Sequence, residues 1–251
     1  MFTLECDRAY LYAHPERELS SGEQGRYDEA VTQRSSGIPA QYITGHQEFW
    51  GMDLIVSPAV LIPRPETEHL VETALLLARG RKKLRIVDVG SGSGCIALAL
   101  AKELPDAEIH AVDISSAALE VARANAARHQ LQQRICFHRA DLLAGVSPGS
   151  FDLAVSNPPY VGESEEDQVQ LEVRKFEPRN AVFAGPTGLE VIERLVPQAK
   201  SALAADGWLV MEISGTIVNG VKQLLAGWKD VQIVNDLQGI PRVAAAQKPA
   251  A

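Results

Sequence analysis

Short apolar runs alternate with helical patterns along most of the chain. The runs predict seven strands, at Leu84–Val89, Glu108–Val112, Arg134–Arg139, Phe151–Ser156, Trp208–Ile213, Lys229–Val234 and Arg242–Ala246. Helices are predicted between them, at Gly94–Glu103, Ser115–His129 and Gly188–Ala205, and after the fifth strand a further helix is predicted to about Ala226. Gly207 is expected to end the Gly188–Ala205 helix in a left-handed cap. Because strands separated by helices pair in parallel, we predict an α/β fold with a mostly parallel seven-stranded sheet and helices on both faces.

The segment before residue 84 follows a different pattern. Arg8–Arg34 is polar and helical, with an interruption at Ser20–Gly22. Gln47–Ser57 predicts a β-hairpin whose turn falls at Gly51-Met52. A helix is predicted over Glu66–Ala78, since prolines restrict the residues before it.

Composition narrows the class of protein. The 251 residues carry 24 Lys and Arg against 32 Asp and Glu, a formal net charge of −8, and the short basic cluster Arg79–Lys83 before the first strand is interpreted as a solvated linker. Proteins that grip nucleic acid through its phosphates usually present a basic face, so a nucleic-acid partner is not expected. No apolar run is long enough to span a bilayer, and the N-terminus has no signal-peptide pattern, which favours a cytoplasmic protein without a membrane partner. The three cysteines lack metal-type spacing, so no metal site is expected.

A glycine-rich turn follows the first predicted strand of the α/β region. Glycines allow a sharp turn and close approach to a ligand, and the helix that follows offers N–H groups at its N-terminus. Such a turn occurs in many nucleotide-binding proteins, so it is weak evidence for a particular cofactor when taken alone. The residues of this turn expected to bind a cofactor are Gly90, Ser91, Gly92, Ser93 and Gly94.

Two carboxylates favour S-adenosylmethionine over NAD as that cofactor. Asp113 ends the next strand, about 20 residues beyond the glycines, where an acid can accept from both ribose hydroxyls. Asp88 precedes the turn, where it would repel a pyrophosphate and attract the cationic amino-acid end of S-adenosylmethionine. After the third strand, Asp141 could accept from an adenine amine and Leu142 could provide an apolar edge for the ring. A loop aspartate that only caps a turn would give the same pattern.

Asn157-Pro158-Pro159-Tyr160 closes the fourth strand, at the edge where open α/β sheets bind ligands. Methylating a planar nitrogen requires acceptors that hold its N–H groups while its lone pair turns toward the methyl donor. The side-chain oxygen of Asn157 and the carbonyl of Pro158 can supply two acceptors, and the Tyr160 ring can stack on a flat acceptor. Alignment and dipoles would supply the catalysis, with the proton leaving to solvent. A rigid strand-to-loop exit is the structural alternative.

With these residues placed, nearly the whole chain resembles the class I methyltransferases, and most closely the PrmC or HemK family of peptide chain release factor glutamine methyltransferases. The Asn157–Tyr160 loop is shared with adenine methyltransferases, whereas other segments are peculiar to this family. The resemblance is carried by residues 41–45, 48–51, 61–68, 87–94, 155–160, 176–178 and 239–242.

The resemblance implies methyl transfer from S-adenosylmethionine to the N5 amide nitrogen of the glutamine in the Gly-Gly-Gln motif of release factors, with S-adenosylhomocysteine as product. It implies that Asn157 also contacts the cofactor, that Asn157–Tyr160 hold the glutamine, and that Arg64 and Glu66 line the acceptor entrance. A prolyl linker with a helix-capping acid is the alternative for the last two. The implied organisation is a partial helical docking domain at residues 1–40, a hairpin linker at 41–65 and a methyltransferase domain at 66–251.

Three departures from the family pattern matter. About forty residues precede the hairpin, against about seventy in most relatives, so the resemblance supports the chemistry more than the docking. Ser214 stands where a glycine commonly follows the Glu212-Ile213 pair, and Leu142 replaces an aromatic residue of some relatives.

Two alternative functions are considered. An adenine N6-methyltransferase acting on DNA or RNA is the runner-up function. A cofactor-binding protein that has lost catalysis is the third.

Overall fold

The computed structural model describes residues 2–249. Its strands are β1 (His46–Phe49), β2 (Met52–Ile55), β3 (Arg85–Val89), β4 (Glu108–Asp113), β5 (Ile135–Arg139), β6 (Phe151–Ser156), β7 (Val161–Gly162), β8 (Phe183–Gly185), β9 (Leu203–Glu212), β10 (Lys229–Asn235) and β11 (Pro241–Gln247). Its helices are α1 (Arg8–Ala13), α2 (Ser21–Ser35), α3 (Ala40–Thr44), α4 (Glu68–Ala78), α5 (Cys95–Glu103), α6 (Ser116–Arg128), α7 (Leu171–Phe176), α8 (Arg179–Val182), α9 (Glu190–Ala202) and α10 (Val218–Leu224). Short 3-10 turns lie at Phe2–Leu4, Pro65–Thr67, Glu163–Gln168 and Gly215–Ile217.

A seven-stranded sheet in the order β10-β11-β9-β6-β3-β4-β5 forms the centre of the molecule. Strands β9, β6, β3, β4 and β5 are parallel, and β11 is antiparallel to both β9 and β10. The predicted mostly parallel α/β fold is therefore confirmed. The chain runs outward from β3 to β5 and then returns to β6 on the other side of β3. This reversal opens a crevice at the carboxyl ends of β3 and β6, where folds of this kind bind ligands.

Alternation along the strands fills two cores, one on each face of the sheet. Ile86 faces a core that also contains residues of α4, α5 and the β1–β2 hairpin, whereas its neighbour Val87 faces a core formed with α9 and α10. The central strands are thus apolar on both sides, as expected for parallel strands covered by helices. Helix α5 is buried from Cys95 to Ala101, because the hairpin side and the sheet enclose it together.

The structure corrects three local predictions. The hairpin turn lies at Trp50-Gly51, where both residues have positive φ, and not at Gly51-Met52. Helix α9 ends at Ala202 and β9 begins at the next residue. The residue with left-handed backbone geometry is Asp206 and not Gly207. Gly207 is needed for space instead, since a Cβ there would lie 3.1 Å from the carbonyl oxygens of Ala204 and Asp152.

The interruption in the N-terminal helical segment is longer than predicted. It runs from residue 14 to 20, and Ser20 begins α2 with a capping box shared with Glu23. The pattern did not predict α3, α7, α8 or the small β7–β8 pair. Within residues 2–249, no helix is both long and apolar enough to cross a membrane.

Candidate active site

A cavity of about 470 Å³ opens at the carboxyl edge of the sheet, at the crevice between β3 and β6. It is within the size range of small-molecule sites. The glycine turn after β3, the end of β4, the loop after β5 and the loop after β6 all reach it. Its wall includes Gly90, Ser91, Gly92, Ser93, Asp113, Ile114, Asp141, Leu142, Asn157, Pro159, Arg64 and Thr67.

The glycine turn is fastened to the end of β4. The N–H groups of Gly90 and Ser91 both donate to the carbonyl of Val112, and the N–H of Gly92 donates to Asp113 Oδ2 at 2.8 Å. These groups are therefore already bonded within the protein, which differs from the expectation of free N–H groups. A Cβ on Gly90 or Gly92 would meet nothing within 4 Å, so a ligand can approach the backbone there.

Gly94, the last glycine of the turn, lies away from the cavity and serves helix packing. A Cβ there would stand 3.1 Å from that of Ala122, so α5 and α6 could not approach as closely.

Buried Asn125 on α6 supports the turn from below. Its amide nitrogen donates to the Ser93 carbonyl at 2.9 Å, and its side chain pairs with both backbone groups of Ile55 on β2. The hairpin and the glycine turn are thus joined by one side chain, which no motif in the sequence indicates.

The Asp113 carboxylate lines the cavity with both oxygens partly engaged. Oδ2 accepts from Gly92 and Oδ1 accepts from the N–H of Ser115, each at 2.8 Å. Each carboxylate oxygen retains a further lone pair, so Asp113 can still accept from two hydroxyls of a ligand. Ile114 follows it in the wall with 53% of its surface exposed, an apolar contact that sequence reasoning missed.

Asp88 is fully buried beneath the turn and does not line the cavity. Its Oδ2 accepts from the N–H of Ala97 at 3.2 Å, whereas Oδ1 has no partner in the described chain. Burial raises the pKa of this carboxyl to about 7, the Ala97 bond opposes the rise, and the Asp113 charge adds to it. The Ser91 hydroxyl is likewise buried without a partner. The turn therefore covers two unsatisfied polar atoms.

The loop after β5 presents one apolar and one charged residue. Leu142 has a φ of +53° and lines the cavity. Asp141 is exposed and pairs with Arg194 of α9 at 2.5 Å. That ion pair crosses from the loop to the helix, so Asp141 has a structural partner besides any ligand.

The loop after β6 is held by a hydrogen-bonded chain of side chains. Asn157 Nδ2 donates to Thr67 Oγ1 at 3.2 Å, and Thr67 donates to Glu212 Oε2 at 2.6 Å. The Tyr160 hydroxyl donates to the other oxygen of Glu212 at 3.0 Å. The chain thus joins the two ends of the Asn157–Tyr160 loop through one carboxylate.

Glu212 ends β9 and is only 2% exposed. Burial raises its pKa, and the hydroxyls of Thr67 and Tyr160 and the charge of Arg242 oppose the rise. Burial, together with the Glu212 charge, also raises the pKa of Tyr160. Sequence reasoning gave Glu212 and Thr67 no role, although an acid at the end of an apolar strand and a threonine two residues after Pro65 were visible signals.

Arg64 and Glu66 stand at different places. Arg64 lines the cavity and is bonded to Glu177, whose other oxygen accepts from the N–H of Ile62 at 3.1 Å. Glu177 is buried, so it fixes Arg64 from behind. Glu66 is half-buried and does not form part of the cavity wall.

The structure therefore gathers most predicted site residues around one cavity. The exceptions are Asp88, Gly94, Glu66, Pro158 and Tyr160, which lie outside its wall. Pro158 is buried, and the Tyr160 hydroxyl is turned toward Glu212. In residues 2–249 no cluster of three or more His, Cys, Asp or Glu side chains is arranged to hold a metal ion.

Two family models match the chain. Residues 67–175 match the methyltransferase small domain, and residues 1–45 match the PrmC N-terminal domain. A release factor glutamine methyltransferase of Koribacter versatilis is 55% identical over 99% of this chain and 89% of its own length. The protein of the same name from Rhodopirellula baltica is 38% identical over 97% of this chain and 85% of its own.

Solved structures share the fold. A ribosomal protein L11 methylase from Lactobacillus delbrueckii subsp. bulgaricus aligns with a TM-score of 0.56 and 25% identity, over 77% of this chain and 84% of that one. The hMettl16 catalytic domain in complex with the MAT2A 3′UTR hairpin 6 aligns with a TM-score of 0.62 over 96% of this chain and 92% of that one. Its identity of 15% supports the fold alone.

Proposed function

The chain belongs to the PrmC or HemK family of release factor glutamine methyltransferases, and we propose that it methylates the N5 amide nitrogen of the glutamine in the Gly-Gly-Gln motif of peptide chain release factors. One observation carries the chemistry. Asn157 lines the same cavity as the glycine turn, with its amide nitrogen bonded to Thr67 and its amide oxygen left for a ligand. An acceptor for a planar N–H group thus lies beside a nucleoside-type site.

The residues present fit S-adenosylmethionine. The backbone at Gly90 and Gly92 leaves room for a ligand, and Asp113 can accept from its ribose hydroxyls. Ile114 and Leu142 offer apolar contacts to the adenine, and Asp141 offers an acceptor for its amine. The unpartnered oxygen of Asp88 lies beneath the turn, where a bound ammonium group would favour the ionised form of this carboxyl. The cofactor supplies an electrophilic methyl group on a sulfonium sulfur and leaves as S-adenosylhomocysteine.

The chain's own residues align the acceptor nitrogen. The Asn157 oxygen and the Pro158 carbonyl would hold the two N–H groups of the glutamine amide, so that the nitrogen lone pair turns toward the cofactor side of the cavity. Pro159 lines the wall beside them and, like Pro158, carries no N–H to compete. Tyr160 lies outside the cavity wall with its hydroxyl bonded to Glu212, so it would support the acceptor by holding the Asn157–Tyr160 loop in place. Fixed dipoles stabilise the charge that develops on nitrogen, and the proton departs to solvent.

Residues 1–40 would serve as the docking segment for the release factor. Phe2–Leu4, α1 and α2 contain no buried residue, yet their surface carries large apolar side chains. Tyr12 is 73% exposed. A surface of this kind suits a protein partner, since aromatic residues supply much of the contact energy in interfaces. Arg64, held by Glu177, would line the acceptor entrance together with Glu66.

A nucleic-acid substrate is disfavoured by the placement of charge. The cluster Arg79–Lys83 precedes β3 and therefore lies at the amino edge of the sheet, opposite the cavity. The net charge of −8 gives no general attraction to phosphates. We also propose a cytoplasmic location, where release factors act.

Transfer of label tests the proposal. The protein is incubated with methyl-labelled S-adenosylmethionine and one of three acceptors: a release factor, the same factor with Gln→Ala in the Gly-Gly-Gln motif, or duplex DNA. We expect label on the first acceptor alone. Label on DNA and none on the release factor would instead identify the adenine methyltransferase.

A further inference from the structure

Glu212 is the anchor of a polar network that reaches the cavity through other residues. Its two oxygens accept from Thr67 at 2.6 Å and from Tyr160 at 3.0 Å, and its side chain does not line the cavity. An ionised carboxylate has no proton to give, so both hydroxyls must donate to it. The direction of every bond in the network therefore depends on this one charge.

The direction of these hydrogen bonds also determines how the Asn157 amide is oriented. Thr67 has a single hydroxyl proton, which it donates to Glu212, so its oxygen can only accept from a further partner. Asn157 lies 3.2 Å away and must present its NH₂ group to that oxygen. The opposite side of the amide, the oxygen Oδ1, is then the atom directed away from Thr67.

We propose that Glu212 is a positioning residue that acts through Thr67 to fix the side-chain amide of Asn157 with its oxygen toward the methyl acceptor. This inference rests on the proposed function. A reversed amide would present N–H groups to the N–H groups of a glutamine and would repel the acceptor. A network headed by an uncharged group at position 212 permits that reversal, because Thr67 is then free to donate to Asn157 instead.

The groups that face Glu212 come from several elements. Tyr160 and Thr67 contact it directly, Arg242 of β11 favours its ionised form, and Glu66 opposes that form. The Glu212 charge also contributes to raising the pKa of the buried Cys95 thiol. Because burial raises the Glu212 pKa, this carboxyl should become protonated at a higher pH than an exposed glutamate.

Substitutions at position 67 test the relay with matched controls. Thr67→Val keeps the shape of the side chain and removes the hydroxyl, and Thr67→Ser keeps the hydroxyl. Thr73→Val makes the same change in another buried threonine, whose hydroxyl donates to a helix carbonyl. We expect Thr67→Val to lower kcat on the release factor about a hundredfold. Thr67→Ser should restore most of the rate that Thr67→Val loses, Thr73→Val should stay near the wild-type rate, and cofactor affinity should change far less than kcat in both variants at position 67.

Two outcomes distinguish a failure of the proposed function from a failure of the role assigned to Glu212. A wild-type protein that leaves the release factor unlabelled contradicts the proposed function. If the wild type labels the release factor and a folded Thr67→Val variant labels it equally fast, the proposed function stands. The positioning role of Glu212 is then overturned.

A pH profile gives a readout that a purely structural role would not move. At saturating cofactor, the wild-type kcat should fall on the acid side as Glu212 becomes protonated. Glu212→Gln places an uncharged group of the same size there, so its kcat should be low and without that acid limb. Profiles of the same shape in both proteins would overturn the inference, whatever their absolute rates.

Discussion

The α-carbon of Gly188 lies directly against the carbonyl oxygen of Tyr160: a Cβ at this glycine would stand 2.5 Å from that oxygen. Gly188 also has a φ of +83°, which other residues adopt only with strain. The segment leading into α9 thus supports the Asn157–Tyr160 loop from outside the cavity.

Gly188→Ala should displace that loop. We expect kcat to fall at least about tenfold and stability to fall by about 2 kcal/mol, because the added methyl group forces the Tyr160 carbonyl to move. Gly227→Ala is the matched control, since its φ is also +83° but a Cβ there meets nothing within 4 Å. Both variants lose stability through φ, whereas only Gly188→Ala should lose rate. Equal kcat values for the two variants would show that the contact is unimportant for catalysis.

Asp88→Asn should change how stability depends on pH. The folded protein raises the pKa of Asp88 to about 7 from 3.8, so folding favours the neutral carboxyl. Its stabilising contribution is complete below about pH 4 and is lost as pH rises through 7. In the absence of cofactor, the variant should therefore exceed the wild type in free energy of unfolding at pH 8, by a few kcal/mol at most, and the gap should narrow toward pH 5. Urea unfolding at both pH values measures this, and a constant gap would exclude Asp88 as its source.

Asn157→Ala should abolish methyl transfer while cofactor binding remains measurable but weaker. Removing the acceptor oxygen leaves the glutamine N–H unaligned, so we expect a loss of at least about a hundredfold in kcat. Asn219→Ala, on the exposed side of α10, should behave as the wild type. Calorimetric titration with S-adenosylmethionine and rates on a release factor separate the two effects. An unchanged turnover would remove the proposed role of Asn157.

Asn125→Leu should loosen the hairpin and the glycine turn together. The substitution leaves both backbone groups of Ile55 and the Ser93 carbonyl without their partner, so we expect a loss of about 3 kcal/mol of stability and weaker cofactor binding. Ala124→Leu adds the same side chain at the exposed neighbouring position and should change neither quantity. Thermal unfolding with and without cofactor provides the comparison. Loss of stability with intact cofactor affinity would mean that the turn does not depend on this clasp.

The double variant Tyr12→Ser, Tyr27→Ser should impair recognition of a whole release factor. Both rings are exposed, so their removal should leave the fold intact and raise KM for the full factor about tenfold. The rate on a short peptide containing Gly-Gly-Gln should not change. Leu76→Ser, an equally exposed apolar position on α4, serves as the control. A KM that rises equally for the peptide would argue against a docking segment.

The cofactor half of the candidate site could be predicted because its signals are local. A glycine turn directly after a buried strand, and an acid at the end of the next, must meet at one edge of a parallel sheet. The structure brings Gly90, Gly92 and Asp113 together there. Asp88 was correctly expected next to the turn, but its full burial depends on packing between distant elements, which the local sequence does not indicate.

The relay behind Asn157 could not be predicted, because its members are far apart in sequence. Nothing near Glu212 indicates that its partner is Thr67, 145 positions earlier. The predicted position of the hairpin turn was wrong for a related reason. Trp50 adopts a left-handed conformation unusual for a bulky residue, and its N–H and ring nitrogen are held by Glu68 and Glu103. Tertiary contacts overrule local preference at both places.

The bond between Thr67 and Glu212 also sets an order in which the site can be completed. The residues from Asp88 to Leu142 form one continuous stretch, so this half can assemble once β3, β4 and β5 have paired. The other half has to wait until β9 joins β6, and contacts across so long a separation form late. During synthesis, a nascent chain could therefore acquire its nucleoside pocket first and gain a competent Asn157 only after residue 212 has left the ribosome.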